Sequence, residues 1–226
     1  MLGRVLSDVL DLVLPASCAG CGAKGASCCG RCQAALTAAP ARRVPVPAPA
    51  GLPDCWSAAP YDGVVRRMIL AYKERGAVAV AGALADAIAL TAVMALGRVR
   101  GGFAVVPVPS SRRVRRGRGH DPVGRLAVLV AARLRASGLA AEVWTGLEQA
   151  RGVTDQSALS GTERAANLAG SLEVLHAART PPGAFALLVD DIVTTGATLA
   201  EAARALRAAG VRAPLAVTAA ATRRRS

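Results

Sequence analysis

Aromatic residues and lysine are scarce in this chain of 226 residues. It has two each of Trp, Tyr and Phe, so its 53% apolar content comes mainly from small aliphatic side chains, alanine above all. Of the 28 basic residues only Lys24 and Lys73 are lysine, and this arginine excess is typical of a GC-rich genome. The length suits one main globular domain with a small appendage, and the composition argues against a membrane protein.

The chain also lacks a convincing secretory signal and an uncharged hydrophobic run. In its first 17 residues two acids interrupt the apolar positions, which recur at helical spacing and predict a docking helix: Leu2, Val5, Leu6, Val9, Leu10 and Val13. The longest weakly polar stretch, Ala77–Gly97, is rich in alanine and carries Asp86 near its centre, which is costly in a bilayer. We therefore expect a cytoplasmic protein without a membrane span.

The formal charge of +13 raises the question of nucleic-acid binding. Basic residues are dense only in one internal cluster and in the tail, at Arg112, Arg113, Arg115, Arg116, Arg118 and Arg223–Arg225. Such clusters are compatible with a local anion site and with weak DNA binding, and both interpretations stay open.

Four of the six cysteines form two C-x-x-C turns, which we call the cysteine knuckle: Cys18, Cys21, Cys29 and Cys32. Two such turns can bring four thiolates to one tetrahedral ion, so the spacing predicts a structural Zn²⁺ site. Disulfides and an iron–sulfur cluster are the alternatives, and Cys28 could replace Cys29 as a ligand. Cys55 stands alone and is expected to be a small buried residue.

After the knuckle, the Pro- and Ala-rich stretch Ala39–Pro53 predicts a semi-rigid connector between residues 1–53 and a domain at 54–226. Strands then alternate with helices, which predicts an α/β fold with a mostly parallel sheet flanked by helices. The expected strands are 56–61, 103–108, 141–145, 185–190 and 213–221, and the expected helices 62–75, 77–96, 123–137 and 197–209. Residues 146–167 show no clear periodicity.

Two adjacent acids follow an apolar run in the segment LLVDDIVTTGATL, residues 187–199. Asp190 and Asp191 are expected at the carboxyl end of a strand, where open sheets bind ligands, and there they suit ribose hydroxyls and Mg²⁺. Gly196 and the threonines around it lead into a helix, which predicts a phosphate cradle. A capping box at Thr198 and Glu201 is the alternative for the helix start.

The stretch VDDIVTTGATL resembles the phosphoribosyl-diphosphate (PRPP) binding motif of type I phosphoribosyltransferases. The chain as a whole is similar to the ComF/GntX family of competence-associated phosphoribosyltransferase-like proteins. That family also has an N-terminal double C-x-x-C, a central V-P-V-P-S-S-R, here residues 106–112, and Q-x-x-L followed by R-x-x-N, here residues 156–159 and 164–167.

The resemblance implies roles for individual residues. Asp190 and Asp191 would be the catalytic acids that hold the ribose and the Mg²⁺ environment. The 5′-phosphate would lie against Thr194, Thr195, Gly196, Ala197 and Thr198. Diphosphate would lie against a loop that contains Ser110, Ser111 and Arg112. A flexible loop over the substrate would contribute Gln156, Arg164 and Asn167.

Two further positions bear on the resemblance. Lys73 falls where the family often carries lysine, although its place on an amphipathic helix predicts an exposed residue. The family commonly has R-G-F-N-Q where this chain has Arg118-Gly119-His120-Asp121-Pro122, which bears on the preference for an acceptor.

Together with the residues, the resemblance implies two classes of function. The first is an enzyme that transfers the 5-phosphoribosyl group from PRPP to an acceptor, with Mg²⁺ as cofactor and a structural Zn²⁺. The second is a non-catalytic PRPP- or nucleotide-binding module that serves a competence helicase or another DNA-uptake partner through its knuckle and basic surface. Fold alone does not separate them.

Overall fold

The computed structural model describes residues 17–74, 77–97, 101–109, 121–150, 170–175, 183 and 185–222. The predicted docking helix at the N-terminus, the arginine cluster at 112–118 and the basic tail at 223–225 lie outside these ranges.

A six-stranded sheet forms the centre of the molecule. Its strands, in spatial order, are β1 (Ala41–Arg42), β2 (Asp54–Pro60), β8 (Leu215–Ala221), β7 (Ala186–Val193), β3 (Phe103–Pro107) and β4 (Ala141–Val143). All neighbours are parallel except β1, which runs antiparallel to β2. The predicted α/β class and mostly parallel sheet are thereby confirmed.

Within the described ranges, five helices pack around this sheet: α1 (Gly30–Thr37), α2 (Gly63–Glu74), α3 (Ala81–Leu96), α4 (Pro122–Ala136) and α5 (Ala197–Ala208). A short 3-10 turn, Val78–Val80, precedes α3. Buried strand residues alternate between the two faces, since Leu187 and Val189 pack in the core of α2, α3 and α4, whereas Leu188 packs in the core of α5. Helices on both faces explain why the strands read as continuous apolar runs.

Helix α4 begins at the point where the sequence departs from R-G-F-N-Q. Asp121 is its N-cap, and the Asp121 carboxylate accepts a hydrogen bond of 3.0 Å from the Gly124 N–H. Pro122 is the first helical residue, where proline loses no intrahelical hydrogen bond. The Asp-Pro pair therefore has a local structural role as a helix start.

A second, two-stranded sheet was not predicted. It pairs β5 (Leu147–Gln149) with β6 (Leu172–Val174) in antiparallel fashion. Helix α5 holds this sheet, because the Glu201 carboxylate accepts from the Leu172 N–H at 3.1 Å and Arg204 donates to the Leu172 carbonyl at 2.9 Å. Three-residue strands are too short to show a periodicity in the sequence.

The connector differs from its predicted form, because two of its residues enter the sheet. In β1, Ala41 pairs with Ser57 and Arg42 pairs with Trp56. Proline is tolerated next to such a short edge strand, where few backbone donors are needed. The division at residue 53 stays a prediction.

No helix in the described part of the chain is long and apolar enough to cross a membrane.

Candidate functional site

The acid pair, Asp190 and Asp191, lies inside β7 and not after its end. The strand continues to Val193, and its pairing with β8 extends to Ala221. On the other side β3 pairs only as far as Val189. The predicted strand end at residue 190 was therefore wrong for one edge of β7, and the acids lie just beyond the end of the neighbouring strand. This is a carboxyl-end position, as ligand sites of open parallel sheets require.

Asp191 is buried and forms an ion pair with a residue of helix α2. It follows Leu187 and Val189 onto the α2 face, where the Lys73 ammonium lies 2.9 Å from both of its carboxylate oxygens. Asp191 is 3% exposed, and the Lys73 side chain is 24% exposed. The expectation that Lys73 is an exposed helix residue was wrong, since its charge compensates a buried carboxylate.

Asp190 lies on the opposite face of the strand and is electrostatically distinct. Its Oδ1 accepts a hydrogen bond of 2.8 Å from the Asp191 N–H. Burial and, second, the neighbouring Asp191 charge raise the pKa of Asp190 to about 8, although the Asp191 N–H and Lys73 act in the opposite direction. Near neutral pH this carboxyl therefore tends to keep its proton, and it can then donate a hydrogen bond as well as accept one.

The threonine loop, Thr194–Gly196, connects the acid pair directly to α5. Gly196 is the N-cap of the helix and has a φ of +77°, in the left-handed region that favours glycine. A Cβ at this position would lie 2.9 Å from Leu52 Cδ1 and 3.3 Å from Pro45 Cγ, so the connector packs closely against the loop.

The helix start differs from the capping-box alternative. Thr198 falls within the first turn, and the N-cap residue is Gly196, which has no side chain to cap the helix. Glu201 contacts Leu172 and Arg204 instead. The Ala197 N–H is 3.4 Å from Thr195 Oγ1. Because the first N–H groups of a helix have no intrahelical partner, an end with exposed Thr194 and Thr195 suits an anionic ligand.

The other predicted ligand residues lie outside the described residues: Ser110, Ser111, Arg112, Gln156, Arg164 and Asn167. The described chain does reach Pro109, two residues beyond β3. The diphosphate and flexible-loop roles therefore stay predictions.

The four cysteines of the knuckle converge as predicted. Their sulfur atoms all lie within 4.8 Å of one another, and Cys21 Sγ is 3.6 Å from Cys29 Sγ. A tetrahedral ion with Zn–S distances near 2.3 Å would require sulfurs about 3.8 Å apart, so the geometry fits a bound metal. The cluster contains Cys29 and not Cys28, whose Sγ approaches the Cys29 carbonyl at 3.8 Å.

Backbone donors favour the charged form of two knuckle thiols. Burial acts to raise the pKa of Cys18, but hydrogen bonds from the Cys29, Cys21 and Gly20 backbones lower it to about 6. A backbone hydrogen bond at Ala23 lowers the pKa of Cys21. Thiolates are the metal-binding form of cysteine, so these donors suit a metal site. Cys55 is buried, as predicted.

The sequence model of the phosphoribosyl transferase domain matches residues 73–226. The chain belongs to this family. The matched region begins at Lys73 and includes β3, the acid pair, the threonine loop and β8, so the assignment and the observed fold agree. Among curated proteins, none matches the chain.

Within the phosphoribosyl transferase domain, Lys73 is the site residue that pattern reasoning misjudged. Its partner is 118 positions away, and no local pattern links the two residues. The composition did indicate a special role for this position, because a chain that otherwise uses arginine has a lysine here. An ammonium is a compact charge that fits beside a single carboxylate, whereas arginine is larger and planar.

Proposed function

We propose that the protein binds PRPP with Mg²⁺ and transfers its 5-phosphoribosyl group to an acceptor, with release of diphosphate. The observation that carries the proposal is the order of features along β7 and the loop that connects it to α5. An acid pair compensated by Lys73 lies beyond the end of β3, and four residues separate it from the glycine that caps the start of α5. Membership in the phosphoribosyl transferase domain family supports the use of PRPP.

In this proposal the two acids have different tasks. Asp191, paired with the Lys73 ammonium, accepts a hydrogen bond from a ribose hydroxyl. Asp190, which tends to be protonated near neutral pH, can donate to the second hydroxyl or accept from it. Thr194, Thr195, Gly196, Ala197 and Thr198 hold the 5′-phosphate through hydroxyl and backbone N–H groups.

The reaction places demands mainly on positioning. The bond between the anomeric carbon and the diphosphate oxygen breaks, and its electron pair leaves with diphosphate. The acceptor's lone pair forms the new bond to that carbon, and the acceptor's proton passes to solvent. Bound Mg²⁺ would supply charge neutralisation of the departing diphosphate. The acids and the threonine loop fix the ribose, so that the cation-like transition state forms in a defined place.

The finer assignments belong to the same proposal. We place Ser110, Ser111 and Arg112 at the diphosphate and Gln156, Arg164 and Asn167 over the substrate, on the strength of the motifs alone. The metal of the knuckle is proposed to be Zn²⁺, since four thiolates leave no open position for a substrate. Membership in the ComF/GntX branch, a role in competence, a cytoplasmic location and the division into 1–53 and 54–226 are also proposed.

The experiment that tests this function is diphosphate release from labelled PRPP with Mg²⁺, across a panel of purine, pyrimidine and amine acceptors. We expect release with at least one acceptor and a loss of about 10²-fold or more in Asp191→Asn, which removes the carboxylate paired with Lys73. The matched control is Glu142→Gln, an exposed acid on β4 near the opposite end of the sheet. Equal rates in both variants would contradict the assignment of the acid pair.

A second candidate is the non-catalytic binding module, favoured by the net charge of +13 beside a cysteine knuckle. It predicts PRPP or nucleotide binding without diphosphate release and an association with a DNA-uptake helicase. It also predicts DNA binding that weakens steeply with salt and survives substitution of the acid pair. Measuring PRPP binding and DNA affinity on the same Asp191→Asn preparation separates the two candidates.

A further inference from the structure

Helix α2 contacts both the cysteine knuckle and the acid pair. Its residues Val65, Met68, Ile69 and Tyr72 are buried in the main core, together with Cys18 and Cys32 of the knuckle. Lys73, at its last turn, reaches Asp191. One rigid element therefore links the two clusters of chemically reactive side chains in the described chain.

At the knuckle, α2 contacts the backbone of the first C-x-x-C turn. Arg67 of α2 donates from its Nε to the carbonyl of Gly20, which lies between the metal-ligand candidates Cys18 and Cys21. A Cβ at Gly20 would lie 2.8 Å from Cys32 Sγ and 3.2 Å from Met68 Cγ. The first C-x-x-C turn is thus packed directly between a ligand sulfur and the helix, without room for a larger residue.

At the other end, the position of α2 is tightly defined. The Tyr72 hydroxyl donates to the Pro122 carbonyl at 2.7 Å, which ties the helix to the start of α4. The next residue, Lys73, places its ammonium 2.9 Å from both Asp191 oxygens. A shift of α2 would lengthen these contacts, and the attraction between Lys73 and Asp191 weakens as their charges separate.

We propose that the cysteine knuckle, with its metal bound, is a positioning element for Lys73: it fixes α2 through Gly20 and so sets the charge balance of the acid pair. Four thiolates around a divalent ion carry a net negative charge, which suits the Arg67 guanidinium at the Gly20 carbonyl. Metal release would remove the order of that turn and loosen the helix. The consequence for PRPP affinity rests on the proposed function, whereas the coupling between knuckle and Lys73 does not.

The chain provides a probe at each end of this coupling, since Lys24 and Lys73 are its only lysines. Lys24 lies in the knuckle, where it forms a β-bridge with Ser17. Protein labelled with an isotope at the ε carbon of lysine should therefore give two side-chain NMR signals. Lys24→Arg assigns them, and Asp191→Asn shows where the Lys73 signal lies when its partner is neutral.

The test compares Arg67→Ala with Arg66→Ala in the full chain. Arg66 is the neighbouring exposed arginine on the same helix, so the pair differ in the Gly20 contact. In Arg67→Ala we expect metal content to be retained, the Lys24 signal to stay and the Lys73 signal to move toward its position in Asp191→Asn. Arg66→Ala should leave both lysine signals unchanged. In Arg67→Lys the Lys73 signal should lie close to its wild-type position.

A Lys73 signal that stays at its wild-type position in metal-loaded Arg67→Ala would overturn the proposal. Titration of the wild-type protein with a chelator is the second measurement, which needs no variant to fold. There the Lys73 signal should move together with metal loss while the fold persists by circular dichroism, and a signal that does not move would equally overturn it.

Calorimetric titration with Mg²⁺ and PRPP adds the functional readout. Arg67→Ala should bind PRPP about fivefold to tenfold more weakly than Arg66→Ala, the lower end of the usual coupling between two sites. If the wild-type protein does not bind PRPP, the proposed function fails, and the lysine signals still decide the coupling.

Discussion

The charge balance at the acid pair depends on single side chains. Asp191 is nearly enclosed, with one ammonium at its two oxygens, and Asp190 faces the other side of the sheet with a backbone N–H as its donor. A buried carboxylate is stable only while it is paired, so the partner of Asp191 matters more for stability than an exposed lysine would.

Removal of the Lys73 charge should destabilise the protein. We expect Lys73→Met to lower the free energy of unfolding by about 1–3 kcal/mol, because it leaves the Asp191 carboxylate buried without its cation. Urea unfolding at neutral pH measures this. In the double variant Lys73→Met/Asp191→Asn part of the loss should be recovered, and strictly additive losses would show that the two charges do not interact.

Stability should also depend on the ionisation of Asp190. Its folded-state pKa is raised from 3.8 to about 8, so its contribution to stability is complete below the lower value and is lost as the pH rises through the upper one. Asp190→Asn removes this loss. The Tm of the variant should match that of the wild type at about pH 3, below both pKa values, and exceed it by a growing margin up to about pH 8, by calorimetry over that range. Parallel Tm curves would contradict the raised pKa.

At the scale of elements, the start of α5 depends on an approach between two segments that are distant in sequence. Leu52 and Pro45 of the connector pack against Gly196, and the Gly51 carbonyl accepts from Arg207 of the same helix at 3.2 Å. The connector therefore packs directly against the threonine loop and restricts the loop to one backbone conformation.

Two glycine substitutions separate this close approach from backbone conformation. Gly196 and Gly210 have φ values of +77° and +75°, but only the Gly196 position meets heavy atoms within 4 Å. Gly210→Ala should cost about 1–2 kcal/mol, the price of a left-handed alanine. Gly196→Ala should cost more and should also weaken PRPP binding, since Leu52 or the loop must move.

Both costs are measured by urea unfolding, and the affinity by calorimetric titration with Mg²⁺ and PRPP. If Gly196→Ala and Gly210→Ala have equal stabilities and equal PRPP affinities, the connector contact is unimportant for the loop.

The elements that the sequence predicted well are those with long apolar runs or clear helical periodicity, such as β3, β8 and α2. Short elements were missed, because β1, β5 and β6 contain two or three residues each and depend on tertiary partners. The acids and the threonine loop were predictable because they are contiguous. The Lys73–Asp191 pair and the packing of Leu52 on Gly196 were not, since each joins residues more than a hundred positions apart.

At the scale of the whole molecule, the knuckle is part of the main core and does not hang free. Cys18, Cys32 and Leu36 are buried in one cluster with α2, α3 and α4. A loss of metal should therefore destabilise the protein well beyond residues 18–32.

Metal removal should lower the Tm of the whole protein in one transition. We expect scanning calorimetry of Cys32→Ser to show a single peak at lower temperature, together with loss of bound metal by elemental analysis. Cys28→Ser is the matched control, because Cys28 lies outside the cluster, and it should keep both the metal and the Tm. A separate low-temperature peak in the metal-free protein would show that the knuckle unfolds independently.

The order of strands has a consequence for biosynthesis. Strand β8 follows every other strand of the sheet in the chain, yet it lies between β2 and β7. As the polypeptide leaves the ribosome, β2 and β7 cannot be joined until residues 215–221 have emerged. The acid pair thus lies on an incomplete sheet from its own synthesis until residues 215–221 have emerged, and the sheet closes in a step that depends on contacts distant in sequence. We expect a nascent chain stalled on the ribosome shortly before residue 215 to bind a chaperone. The same chain should not bind a ligand that requires the native fold.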